Sequence, residues 1–147
     1  MDAKIISFTV PAIPISQPRQ RQRVVTIGGV ARAVNYTSKS HPVTAFKATV
    51  RLAFLAAHHG APLSGPVSVS MRFVFPRTKA MIWKTRPMPR ELHAKAPDID
   101  NIFKSVADAL KGLAWVDDSQ ICRTSVEKWI ASGDEQPHVW LEIEPCE

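Results

Sequence analysis

The sequence predicts an α+β fold: a single domain in which a mixed β-sheet carries two main helices on one face. Three observations point there. Apolar–polar alternation recurs near both ends and in the middle of the chain. Two stripes of helical period stand between the alternating runs. The length, 147 residues, suits one domain able to bury its own core.

Each element has its own signal. KIISFTV (4–10) alternates as a strand does, and Pro11 and Pro14 end it. RVVTI (23–27), Gly28-Gly29 and VARAV (30–34) read as a hairpin, because paired glycines supply the positive φ of a tight turn. NYTSKSHP (35–42) is a turn cluster. From Pro42 to His59 the pattern is helical, with Val43, Phe46, Val50, Ala53 and Phe54 on one stripe and Gly60 as the stop. GPVSVSMRFVF (65–75) alternates cleanly. Residues 76–97 hold several prolines and read as a long loop, a class that is often functional. A second helix, about 99–112, places Ile99, Phe103, Val106, Leu110 and Leu113 on its apolar side. AWVDD and 120–130 read as strand pieces, GDEQ as a turn and HVWLEIE (138–144) as a last strand. The order is β-ββ-α-β-α-β-β, with no internal repeat.

Apolar content of 45% and charged content of 22% are ordinary for a globular protein. No apolar run reaches the roughly 18 residues of a membrane span, and none of the early residues reads as a signal peptide. Cys122 and Cys146 have no metal-ligand spacing, so a reducing, cytoplasmic setting is expected. Charge is divided unevenly. Residues 1–96 carry +13 and residues 97–147 carry −7, which together give the chain's +6. A basic part (about 1–96) for a polyanion and a separate acidic motif (about 96–120) are expected. Arg19, Arg21, Arg23, Arg77, Lys79, Lys84, Arg86 and Arg90 lie in Pro-broken stretches, from which they are expected to reach outward to DNA phosphates. Trp83 in the same loop either stacks on a base or anchors the loop, and Trp115 is expected in the core. His41, His93 and His138 have no partner visible in sequence; His58 and His59 suit a helix end.

The acidic motif is APDIDNIFKSVADALKG (96–112), followed by AWVDDSQI. Asp98 and Asp100, two apart on extended chain, share a side at about 6–7 Å. Lys104 and Asp108 follow on the polar face of the helix, one turn apart. Read singly, an aspartate at a helix start is usually a cap and Asp117-Asp118 a turn. Read together, Asp98, Asp100 and one of the later pair offer hard oxygen donors that suit Mg²⁺ or Mn²⁺.

This stretch closely resembles the RusA family of Holliday junction resolvases, found in bacteria and prophages. The resemblance rests on PDIDNIFKSVADALKG, WVDDSQI and the strand EKWI. It implies a homodimer that cuts branched DNA, the four-way junction, by paired metal-dependent nicks in recombination and repair. It places metal-holding aspartates at Asp98, Asp100 and Asp118, and an essential lysine at Lys104. Some members carry a basic residue before the first aspartate; here that place is Pro97, with Lys95 two residues earlier as the candidate DNA contact. Two other readings remain open: a non-catalytic phage or prophage DNA-binding protein of the same fold, and a nuclease for other branched DNA.

Overall fold

A computed structural model describes residues 4–18, 21–36 and 40–146, and for residues 21, 22 and 34–36 the backbone alone. Strands β1 (Ile6–Val10), β4 (Val67–Phe75), β5 (Glu91–Leu92), β6 (Ile121–Ile130) and β7 (His138–Pro145) form one sheet in the order β1-β7-β4-β6-β5. All pairs are antiparallel except β4 with β6. A parallel pair needs a crossover, and helix α2 (Ile99–Leu110) lies in it. The expected mixed sheet with two helices is the fold observed.

One face of the sheet makes the core. Alternation sends Ile6, Phe8 and Val10 of β1 inward, together with Val67, Val69, Met71 and Phe73 of β4 and Val139, Leu141 and Ile143 of β7. Helix α1 (Pro42–Ala57) adds Val43, Phe46, Val50 and Phe54, and Trp115 is fully buried among them. Each large apolar side chain so buried contributes about 1.5–3 kcal/mol. The other face stays polar and partly open: Arg72 stacks over Trp140 at 5.1 Å and pairs with Glu127 at 3.3 Å.

Strands β2 (Arg21–Ile27) and β3 (Val30–Tyr36) form a separate hairpin. Ile27 pairs with Val30 across Gly28-Gly29, whose φ of 60° and 79° fit the tight turn read from sequence.

Three expectations need correction. The apolar stripe of α2 is turned from the one predicted: Ile102 is 0% exposed, whereas Ile99 is 42% exposed and Phe103 only half-buried. The stripe that packs is Ile102, Ser105, Val106, Ala109 and Leu110, with the Ser105 hydroxyl donating to Ile15 O at 2.7 Å and Ile102 O at 2.8 Å. AWVDD is not a strand. Trp115 makes single bridges to Leu63 and Lys111, and Asp118–Gln120 is a 3₁₀ turn. β2 opens two residues before the RVVTI strand read from sequence, so Arg21 and Arg23, expected in a Pro-broken stretch, lie on a strand.

The two helices are tied by polar groups. Arg51 Nε donates to Ala109 O at 3.2 Å, and Lys47 lies 3.9 Å from Asp108. His41 caps α1, its Nδ1 accepting from Val43 N at 3.1 Å.

Candidate active site

Helix α2 begins at Asp98, which has extended backbone (φ −68°, ψ 146°) and occupies the capping position. Its carbonyl accepts from Asn101 N and Ile102 N, at 3.2 Å each. Its carboxylate makes no capping bond. Asp100 sits in the first turn. Both residues are exposed, and among the described residues neither carboxylate has a hydrogen-bond or ion-pair partner. The helix N-terminus favours their negative charge, but neither is consumed in holding the helix. Lys104 follows one turn after Asp100, 60% exposed, 3.6 Å from Asp108 Oδ1. The lysine is therefore placed on the Asp100 side of the helix by its spacing, with a long, exposed side chain.

The segment entering α2 is held from the sheet. Lys128 on β6 donates through Nζ to Lys95 O and Pro97 O, each at 2.7 Å. Its carbonyl accepts from His93 N at 3.0 Å. His93 packs edge-on to Phe75 at 4.7 Å. Burial, and then the charges of Lys128 and Lys95, lower its pKa, so the ring stays neutral at pH 7.

Asp117 and Asp118 lie past the other end of α2. Asp117 caps the 3₁₀ turn: it accepts from Ser119 N at 3.1 Å and from Ser119 Oγ, and Gln120 answers by accepting from Asp117 N at 2.8 Å. It also pairs with Lys111 at 3.1 Å. The Ser119 hydrogen bonds, followed by Lys111, pull its pKa down to about 2. Asp118 differs. Its Oδ1 accepts from Trp115 Nε1 at 2.8 Å, which leaves the second oxygen without a protein partner among the described residues.

Within one chain Asp98 and Asp100 stand at the start of α2 and Asp118 beyond its end, so the three expected ligands are not brought together by a single chain. The twelve residues of α2 span on the order of 18 Å, and Asp118 adjoins the far end through Lys111–Asp117. Among the described residues, no three His, Cys, Asp or Glu side chains stand together as a metal cage. The pair Asp98–Asp100 nonetheless fits Mg²⁺: that ion is commonly held by one or two carboxylates with waters and substrate phosphates completing its shell, and both carboxylates are unengaged.

The basic residues separate into three groups. Arg19 lies outside the described residues, and of Arg21 only the backbone on β2 is described. Arg23, Lys79, Lys84, Arg86 and Lys95 are exposed. Arg77 does not reach outward as expected. Its side chain is 4% exposed and donates to Met81 O (3.1 Å), Pro89 O (2.9 Å), Ala131 O (2.9 Å) and Glu91 Oε2 (3.2 Å). Arg90 is likewise engaged, with Glu135. Trp83 anchors the loop between Arg86 at 4.2 Å and Arg77 at 5.2 Å. Sequence reading missed Lys128 and the Trp115–Asp118 bond. The first carried only its place in the strand piece EKWI as a signal, and the second lies within AWVDD at a spacing of three.

No described helix is long and apolar enough to cross a membrane. The model of the family Endodeoxyribonuclease RusA matches residues 11–144, so it spans the hairpin, both helices and the sheet strands β4 to β7, with β1 outside it. A Bacillus subtilis (strain 168) protein described as "Uncharacterized protein YqaN" is 28% identical over 145 residues, 94% of each chain. With a family match that takes in both the Asp98–Asp100 pair and the Asp117–Gln120 turn, the chain belongs to the RusA endodeoxyribonuclease family.

Proposed function

We propose that the protein is a Mg²⁺-dependent endonuclease that resolves four-way DNA junctions by paired nicks, acting as a homodimer. The observation that carries the reading is the state of Asp98 and Asp100: two carboxylates at one helix start, neither spent as a cap nor, among the described residues, neutralised by a cation. In a purely DNA-binding protein, such a pair would only repel phosphate.

Asp98 and Asp100 would hold the ion. Bound Mg²⁺ supplies an acidified water and screens the charge of the scissile phosphate. Lys104 would offer its ammonium to the charge that develops on the phosphoryl oxygens in the transition state. Arg23, Lys79, Lys84, Arg86 and Lys95, all exposed, would track the DNA arms, with Arg86 stiffened by its stack on Trp83. The homodimer has a geometric rationale besides the two-fold symmetry of the junction. Within one chain Asp118 stands a helix length from Asp98, so Asp118 of the partner subunit would be the one to join the pair.

The test is cleavage of a mobile synthetic four-way junction beside linear duplex of the same sequence, with and without Mg²⁺. Symmetric nicks in the junction alone, and only with the metal, are expected. An uncut junction in both Mg²⁺ and Mn²⁺, or duplex cut equally well, overturns the reading.

A further inference from the structure

We infer that Lys128 is a positioning residue for the Asp98–Asp100 pair, tying the segment that enters α2 to the sheet and so setting where both carboxylates stand. The inference rests on the reading of that pair as the metal-holding group.

The segment 93–98 has little of its own to hold it. Between β5 and α2, the main-chain donors with partners among the described residues are His93 N, bonded to Lys128 O at 3.0 Å, and Lys95 N, which reaches His93 Nδ1 at 3.3 Å. Pro97 has no N–H to give. The carbonyls of Lys95 and Pro97, on either side of Ala96, both accept from the same Nζ at 2.7 Å. Two short bonds from one cation fix the path of the chain at two points, and the second is the peptide that leads directly into Asp98. Hydrogen bonds from an ammonium are roughly twice as strong as neutral ones.

The anchor itself is rigid. Lys128 stands on a strand flanked by β4 on one side and β5 on the other, in register with Phe73 of β4. A rigid strand thus holds a loop that otherwise has few bonds, and the loop carries the acids. An ammonium has three N–H donors. Two are used here, and the third has no acceptor among the described residues, leaving a positive charge one residue behind Asp98.

A lysine that merely stabilised the fold would affect melting and nothing else. The test therefore compares wild type, Lys128→Met and Lys128→Arg by four readouts: melting temperature, Mn²⁺ affinity without DNA by calorimetry, amide exchange over 94–100, and the Mg²⁺ concentration for half-maximal junction cleavage. Loss of an outer partner of a metal ligand weakens metal binding by about tenfold or more. Lys128→Met is expected to weaken Mn²⁺ binding and raise the Mg²⁺ midpoint by about that factor, with faster exchange over 94–100. Lys128→Arg, which keeps a charge and several donors, is expected to recover most of the loss. If Lys128→Met does not fold, Lys128→Gln, with two donors on a shorter reach, takes its place. A lowered melting temperature with unchanged Mn²⁺ affinity and Mg²⁺ midpoint overturns the inference. If wild type binds Mn²⁺ through Asp98 and Asp100 but cuts no junction, the proposed function fails while the Mn²⁺ comparison still decides the role of Lys128. If Asp98→Asn binds Mn²⁺ as wild type does, both fall together.

Discussion

Replacing Arg77 by alanine should destabilise the protein more than a change in a proline-rich loop would normally do. The side chain is 4% exposed and its guanidinium bridges three carbonyls and Glu91, joining the start of the loop (Met81), its end (Pro89, Glu91) and the residue after β6 (Ala131). A hydrogen bond to a charged group contributes about 1.5–3 kcal/mol, so a simple sum would be several times that. The sum overstates the loss, because Glu91 is 42% exposed and its carboxylate rehydrates once freed. Breaking one partner out of a buried charged network costs about 3–5 kcal/mol, and the lower part of that range is expected here. At this chain length 1 kcal/mol moves the melting temperature by about 2–4 °C, so a drop on the order of 10 °C should follow. Urea unfolding with tryptophan fluorescence measures the first quantity. Limited trypsinolysis reads the loop, where Lys79, Lys84 and Arg90 should become faster cleavage sites. A loss below about 1 kcal/mol with an unchanged tryptic pattern would refute the reasoning. Arg77 would then be a surface residue that the sequence had read correctly.

Asp100→Asn should abolish junction cleavage in Mg²⁺ while junction binding, measured by gel shift in Ca²⁺, stays equal or strengthens, because a ligand goes and a charge repelling phosphate goes with it. Retained cleavage would return Asp100 to the role of a helix-start acid. Lys104→Ala should lower the single-turnover rate by about 10²-fold or more with binding little changed, since one phosphate contact among many contributes little. Weak binding with a normal rate at saturation would contradict this.

The elements that the sequence announced were those whose signal is local. Gly28-Gly29 can hardly be anything but a tight turn, and the alternation of 67–75 assigns one face of β4 to the core. The phase of α2 was harder. The predicted stripe and the observed one share Val106 and Leu110, and the observed one is turned to take in Ile102 together with Ser105 and Ala109. Small residues carry almost no hydropathy signal, yet they let the helix approach its neighbours, and the Ser105 hydroxyl finds its acceptor in Ile15, ninety residues away in sequence. Arg77 was misplaced for the same reason: three of its four acceptors belong to chain that returns from 12 or more residues further on, and composition records none of that. The split between Asp98–Asp100 and Asp118 had no sequence signature either. Spacing along the chain does not say at which end of a helix the following turn will lie.

The choice within the Asp117–Asp118 pair was open in the sequence, where the segment was read as strand and both faces of it carried apolar residues. The 3₁₀ turn gives the two aspartates different work. Asp117 has its oxygens on Ser119 and Lys111, and asparagine caps such a turn about as well as aspartate. Asp117→Asn should therefore keep measurable cleavage. Its effect should appear instead in acid. The folded-state pKa of Asp117 is depressed from 3.8 to about 2, so the stability it adds is present above about pH 4 and is lost as pH falls towards 2. In Asp117→Asn the fall of melting temperature over that window should be shallower than in wild type. Asp118→Asn is the opposite case. The amide oxygen of asparagine still accepts from Trp115 Nε1, so the melting temperature should hardly move, and what is removed is the negative charge on the oxygen that has no partner among the described residues. Cleavage of a four-way junction, followed in single turnover across a Mg²⁺ titration, should then be lost in Asp118→Asn and retained in Asp117→Asn. The reverse order would mean that the capping network around Asp117 opens when DNA binds and releases that carboxylate to the metal, and that the Trp115 bond holds Asp118 out of the reaction.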